Sequence, residues 1–263
     1  MATLGSKSVG STVKLKVNGT ARNFIVVHQG LPSSAYDSSC DGTWLLMEDV
    51  YASRVWDSSN NDYANSDIHS YLNNTFINLF DSDIQSVIQQ IKLPYHKGTG
   101  NGGTLTTGAN GLSTKVFLLS YKETSLSGNS NVGTEGAVLS YFNGASNDKR
   151  VAKLNGTATS WWLRTVSTIS TTTTYYVWSG GYASNAKCTT SYGIRPALVL
   201  PTTLEVSDDG TVAVPSGAIT GSVNIDGVQR ELTGKGYINI GGVLHELSDS
   251  SVNIGGTLKS LKG

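Results

Sequence analysis

Charge, cysteine and long apolar runs are all scarce in this 263-residue chain, and each scarcity closes off a class of function. Only 14% of residues are charged, nineteen basic against nineteen acidic. No net field gathers phosphates and no Lys/Arg cluster interrupts the chain, so no nucleic-acid partner is expected. No run approaches the roughly 18 to 20 apolar residues of a membrane helix, so no membrane insertion is expected. The N-terminal MATLGSKSVG lacks the apolar core of a signal peptide, which leads to the expectation of synthesis and folding in a cytoplasm. Cys40 and Cys188 are the two cysteines. They are too few for a disulfide scaffold, form no metal-binding pair, and read as buried free thiols.

Site motifs are equally sparse. His28, His69, His96 and His245 are scattered, with no His-x-x-x-His or Cys-x-x-Cys to gather ligands. Asp57, Asp62 and Asp67 miss the EF-hand spacing and its central glycine, and they read as a solvated turn and a helix cap. There is no Gly-x-Ser-x-Gly elbow, phosphate loop or Rossmann glycine fingerprint. No catalytic residue, metal site or cofactor is expected, and the chain is not expected to be an enzyme.

What is present points to strands and turns. Thirty glycines and twelve tyrosines, with abundant Ser, Thr and Asn, suit a β-rich α+β protein with long loops. TVKLKV (from Thr12) alternates, Asn18-Gly19 supplies a turn and NFIVV (from Asn23) is apolar, which predicts a β-hairpin. Trp44 to Val50 and Val116 to Leu119 read as buried strands. Ile68, Tyr71, Leu72, Phe76 and Leu79 share one face of a helix that Ser66 or Asp67 caps. Ile84, Val87, Ile88 and Ile91 predict a second short helix, stopping before Pro94. Residues 97–113 are too polar to fold alone and read as an exposed loop. GIRPALVLP (Gly193 to Pro201) is an apolar strand whose proline suits an edge or a strand start.

The C-terminal part repeats itself. SVNIDGVQREL (from Ser222), YINIGGVLHEL (from Tyr237) and SVNIGGTLKSL (from Ser251) each predict a hairpin, turning at Asp226-Gly227, Gly241-Gly242 and Gly255-Gly256. Single hairpins of this size are marginal, so three in series are expected to stack on each other or on partner chains. The expected division is a domain over 1–204 and tandem hairpins over 205–263.

Five segments, NFIVVHQG, YANSDIHSYLNNTF, WWLRT, YYVWSGGYAS and GIRPALVLP, occur in an order and spacing that resembles the C-type-lectin-like domains of phage tail proteins and of the variable proteins of diversity-generating retroelements. The resemblance covers most of residues 12–201. It implies a small sheet, two short helices and long loops, with a hypervariable stretch on one exposed face between the Trp-Leu-Arg and Arg-Pro-Ala-Leu strands. It does not imply calcium or sugar binding, because no Glu-Pro-Asn tripeptide occurs. The formylglycine-generating oxidases share this fold and rely on cysteines near the chain's end, but Cys188 has no second cysteine near it in sequence.

The stretch from Thr165 to Tyr192, TVSTISTTTTYYVWSGGYASNAKCTTSY, has the composition of a paratope: Tyr and Trp give contact area at low entropic cost, and Ser and Asn give adaptable hydrogen bonds. Its candidate ligand-binding residues are Thr168, Ser170, Thr172, Tyr175, Tyr176, Trp178, Tyr182, Ser184, Asn185 and Tyr192, with the five aromatic side chains expected on the outside. Trp161, Trp162 and Leu163 are expected in the core, and Arg164 and Arg195 are expected to hold strands through buried hydrogen bonds. These features lead to the expectation of a phage virion adhesin that recognises a host-surface protein or glycan. Residues 205–263 would join it to other virion proteins and to copies of itself, a trimer being the form such appendages usually take. A purely structural virion part, or a bacterial surface adhesin or carbohydrate-binding module, remains open.

Overall fold

Asn18 and Gly19 both hold the left-handed backbone of a two-residue hairpin turn, with φ of 51° and 70°. They join Thr12–Val17 (β1) to Thr20–Gln29 (β2), and the antiparallel register runs from Val17 opposite Thr20 to Thr12 opposite Ile25. The computed structural model describes residues 2–214 and, beyond them, six strands between 221 and 260. Eight further strands complete two five-stranded sheets. They are Thr43–Met47 (β3), Ala52–Val55 (β4), Val116–Phe117 (β5), Trp161–Val166 (β6), Thr173–Val177 (β7), Ala183–Lys187 (β8), Ser191–Ile194 (β9) and Ala197–Leu200 (β10).

The first sheet has the order β5-β10-β3-β2-β1 and the second β8-β7-β6-β9-β4. Neighbours run antiparallel except β6 and β9, which meet in parallel at Trp161 and Gly193. The chain crosses from the second sheet to the first at Arg195-Pro196. Pro196 has no N–H to donate, and it sits just before β10, where the Met47 carbonyl accepts from Arg195 Nε instead. The Pro196 carbonyl accepts from Met47 N at 2.9 Å.

The inner strands β2, β3, β6, β7 and β10 are covered on both faces over most of their length, which explains their nearly continuous buried runs. Phe24 and Val26 of β2 enter one core while Ile25 and Val27 enter another. Leu45 and Met47 alternate in the same way with Trp44 and Leu46, Leu198 and Leu200 with Ala197 and Val199, and Trp162 with Trp161 and Leu163. A period of two cannot show in a strand buried on each side. At about 1.5–3 kcal/mol for each large side chain taken from water, these two layers dominate the stability.

Ser66 caps Asp67–Asn74 (α1), its hydroxyl oxygen accepting from His69 N at 3.2 Å, and Ile68 and Leu72 point into the core. A 3-10 turn over Phe76–Leu79 continues the same apolar face. The second helix is shorter than its apolar spacing predicts. Ser82–Val87 (α2) ends as Ile88 turns extended, and Ile91 opens a strand, Ile91–Leu93, paired with Leu112–Thr114. Ile91 is buried in the core that holds Trp44, so a tertiary strand pairing overrides the helical period. Residues 97–113 are likewise not a plain loop, because Tyr95–Lys97 pairs with Thr104–Thr106 around Gly98 and Gly102, both at positive φ. The fold is therefore β-rich α+β, with one main helix and several antiparallel sheets.

The chain forms two compact units, Met1–Val214 and Pro215–Gly263. The first extends past 204 because Glu205–Val206 pairs with Ala2–Thr3 on one side and Val212–Ala213 on the other. Leu204, Val206 and Val212 join the core that holds Phe24. In the second unit, Gly221–Ile225 pairs with Val228–Leu232, Tyr237–Ile240 with Val243–Glu246, and Ser251–Ile254 with Thr257–Ser260, all antiparallel. The expected turns at 226–227, 241–242 and 255–256 lie outside the described residues.

Candidate functional site

The stretch from Thr165 to Tyr192 does not form one continuous exposed face. β7 lies between β6 and β8, with Tyr175 opposite Asn185 and Tyr176 opposite Ser184. Alternation sends Tyr175 into the core with Trp161 and Tyr176 into the core with Trp162. Tyr175 is 2% exposed and meets Tyr121 edge-on, with ring centroids 5.4 Å apart. Tyr176 is 8% exposed and stacks on half-buried Tyr192 at 4.2 Å. The expectation that these two rings face outward is corrected: a strand with neighbours on both edges and a core on each face has no free side. Trp161, Trp162 and Leu163 are buried as expected.

Two aromatics of the stretch do reach solvent. Trp178 is 51% and Tyr182 57% exposed, their ring centroids 6.3 Å apart, on the turn between β7 and β8. Trp178 N donates to the Tyr182 carbonyl and Gly181 N to the Trp178 carbonyl, both at 2.7 Å. The Gly181 carbonyl in turn accepts from Nε of buried Arg150 at 2.8 Å, and Arg150 Nη1 donates to the Thr124 carbonyl at 3.2 Å. Ser179 N donates to Ser160 Oγ at 3.1 Å. Gly181 has φ +84°, and a Cβ there would lie 2.1 Å from the Asn147 carbonyl oxygen. The turn is thus clamped on several sides, so its two rings are presented without a loop that must first be ordered.

The remaining candidates lie elsewhere. Thr168 and Ser170 are half-buried and Thr172 is exposed on the connection into β7, with Ile169 exposed at its tip. Buried Asn61 stitches this connection down. Its Nδ2 donates to the carbonyls of Ser170 at 3.0 Å and Thr173 at 2.7 Å, and its Oδ1 accepts from Gly100 N at 2.9 Å. A cleft of about 580 Å³ opens nearby between Asp62, Asn65, Tyr95, Lys97 and Asn101. The five residues of β7, about 17 Å at ~3.3 Å per residue, separate this end from Trp178 and Tyr182. Half-buried Ser184 and exposed Asn185 lie between the two ends on β8, the last strand of its sheet.

Beneath the stretch, charge is used to hold strands. Arg164 meets Glu123 through two bonds of 2.6 and 2.7 Å, both side chains fully buried, and also donates to the carbonyls of Leu118 and Pro94. Tyr36 Oη donates to Glu123 at 2.8 Å. Buried Glu135 accepts from His96 N at 2.8 Å and from the Thr165 hydroxyl. Burial raises the Glu135 carboxyl above its ordinary range, against the pull of Arg164. Sequence alone did not single out Asn61, Arg150, Glu123 or Glu135, since each stands in a polar stretch without a motif. Cys40 and Cys188 are buried free thiols in different cores. Among the described residues no group of three His, Cys, Asp or Glu side chains is placed to hold a metal, and no helix is long and apolar enough to cross a membrane.

Residues 41–202 match the model of a family described as a domain of unknown function, DUF6273. No curated protein and no solved structure matches the chain.

Proposed function

We propose that this chain, which belongs to the DUF6273 family, is a non-enzymatic virion adhesin whose C-type-lectin-like body presents the Trp178–Tyr182 tip to a host-surface protein or glycan. One observation carries the reading: two large aromatics stand half exposed side by side on a turn that Arg150 and Ser160 hold in place. Rigid aromatic anchors of this kind dominate recognition surfaces, and polar neighbours such as Ser184 and Asn185 complete the rim. The anchor is small, so affinity comes from copy number, with residues 205–263 joining chains to each other and to other virion proteins.

The test is a particle carrying Trp178→Ala and Tyr182→Ala together. Near-UV circular dichroism of the purified chain checks folding. Host adsorption is expected to fall by about tenfold or more, the loss of one modest hot spot multiplied over several copies. Unaltered adsorption by the folded double variant removes the adhesin reading.

The burial of Tyr175 and Tyr176 favours a second reading, a structural virion part whose same tip seats against another virion protein. It predicts that Trp178 fluorescence in the assembled particle is shielded from an added quencher, whereas the adhesin leaves it open.

A further inference from the structure

Gly180 stands in the Trp178–Tyr182 turn without the positive φ that makes its neighbour Gly181 a glycine. Space is what a side chain there would lack. A Cβ at residue 180 would lie 2.8 Å from Trp178 Cζ3 and 3.4 Å from Tyr182 Cδ2, against both rings at once. A glycine at this position leaves the two rings where they are, and any larger residue would push on them.

The faces of the two rings are not used up on each other. Tyr176 and Tyr192 stack at 4.2 Å with 30° between their planes, whereas Trp178 and Tyr182 stand 6.3 Å apart and inclined by 38°, each more than half exposed. Their polar edges are unused as well. The indole N–H groups of Trp44, Trp56, Trp161 and Trp162 each donate to a backbone carbonyl, but Trp178 Nε1 and Tyr182 Oη have no protein partner among the described residues. Arg150 beneath the turn is buried, and its three nitrogens donate to the Gly181 carbonyl, the Thr124 carbonyl and Asn147 Oδ1, so it holds the turn rather than a ligand's charge.

Two ring faces with neutral hydrogen-bonding groups at their edges suit a sugar. A β-linked glucose-type pyranose carries its hydroxyls around the rim and turns axial C–H groups to each face, where the slightly positive hydrogens meet the negative face of an aromatic ring. Size argues the same way. At about 150–250 Å² for a whole aromatic side chain, two half-exposed ones offer roughly 200 Å², enough for one or two sugar rings. A stable protein interface needs about 800 Å² on each partner.

We propose that the tip is a saccharide-stacking site, in which Trp178 and Tyr182 take a neutral, β-linked pyranose chain on their ring faces, Trp178 Nε1 and Tyr182 Oη bond its hydroxyls, and Gly180 leaves the pair room to do so. The inference rests on the reading of this tip as the recognition surface, and within that reading it selects glycan over protein.

The other four tryptophans are buried, so the fluorescence that an added quencher reaches reports Trp178. The purified full chain is titrated with chitotetraose and with cellotetraose, and with sorbitol as a control that has the hydroxyls but no ring face. At least one tetrasaccharide is expected to shield Trp178 from acrylamide saturably, and sorbitol to leave the quenching unchanged. By calorimetry, Tyr182→Ala is expected to weaken that tetrasaccharide about tenfold, and Tyr182→Phe, which keeps the ring face, by only about twofold. Gly180→Ala is expected to weaken it severalfold with the near-UV circular dichroism of the core tryptophans retained. If that variant does not fold, the two Tyr182 variants decide. No saturable shielding by either tetrasaccharide, equal shielding by sorbitol, or an affinity untouched in Tyr182→Ala would each overturn the saccharide site. The adhesin reading fails separately, on unaltered adsorption of the Trp178→Ala, Tyr182→Ala particle. If adsorption does fall in that particle, while neither tetrasaccharide binds and protease rather than periodate treatment of the host abolishes attachment, the tip grips a protein and only the present inference is lost.

Discussion

Arg164 and Glu123 come from positions 41 residues apart and meet where neither touches water. Removing one partner leaves the other as a buried, uncompensated charge, so Glu123→Ala is expected to cost about 3–5 kcal/mol in urea denaturation. Glu135 makes a different prediction because burial raises its carboxyl. Below the unfolded value of about 4.3 both states hold the proton, and the group's contribution is fully present. As pH climbs toward the raised folded value, the unfolded chain releases that proton first and stability declines. Glu135→Gln is expected to flatten this limb of a thermal-denaturation series run upward from about pH 4. An unchanged slope would assign the limb to other groups. The strand-holding role expected of Arg164 rests on its place in an apolar strand, but its partner could not be read, since no local spacing marks a contact over such a distance. Tyr175 and Tyr176 fail for the related reason that a Tyr/Thr-rich strand has the same composition whether its faces meet solvent or core.

At the scale of elements, local chemistry was readable where it closes within a few residues. The Asn18-Gly19 turn and the Ser66 cap are of this kind. The end of α2 is not, because Ile91 is claimed by a strand pairing with Leu112–Thr114. Nor is the approach of the loop over residues 98–103 to the connection before β7. There Gly100 lies so close that a Cβ would stand 1.8 Å from the Ser167 carbonyl oxygen. Gly100→Ala is therefore expected to lift this loop from Ser170 and to cost on the order of 2 kcal/mol. The measurements are the melting temperature and the rate of proteolysis within residues 97–104. Wild-type protection of that loop in the variant would contradict the contact.

At the scale of the molecule, the unit Met1–Val214 has its own two-layer core, and three antiparallel strand pairs make up what is described of Pro215–Gly263. A chain ending at Val214 is expected to unfold cooperatively with an unchanged near-UV spectrum, because its core lies within it. Under the proposed role of the repeats it is also expected to be a monomer by light scattering when the full chain is an oligomer. A truncated chain that keeps the full chain's stoichiometry would move self-association into the first unit.

The repeats, the β-rich class, the N-terminal hairpin, the capped helix and the core tryptophans follow from the sequence by itself, since each depends on periodicity, turn chemistry or hydrophobicity acting over a few residues. Which aromatics of the 165–192 stretch face outward was decided only by tertiary structure. A strand alternates its side chains whatever its sequence, and only the sheets, cores and loops packed around it determine whether either face is left to solvent. The same assembly closed the Trp178–Tyr182 turn over Arg150, a consequence of packing between distant segments that no local pattern encodes.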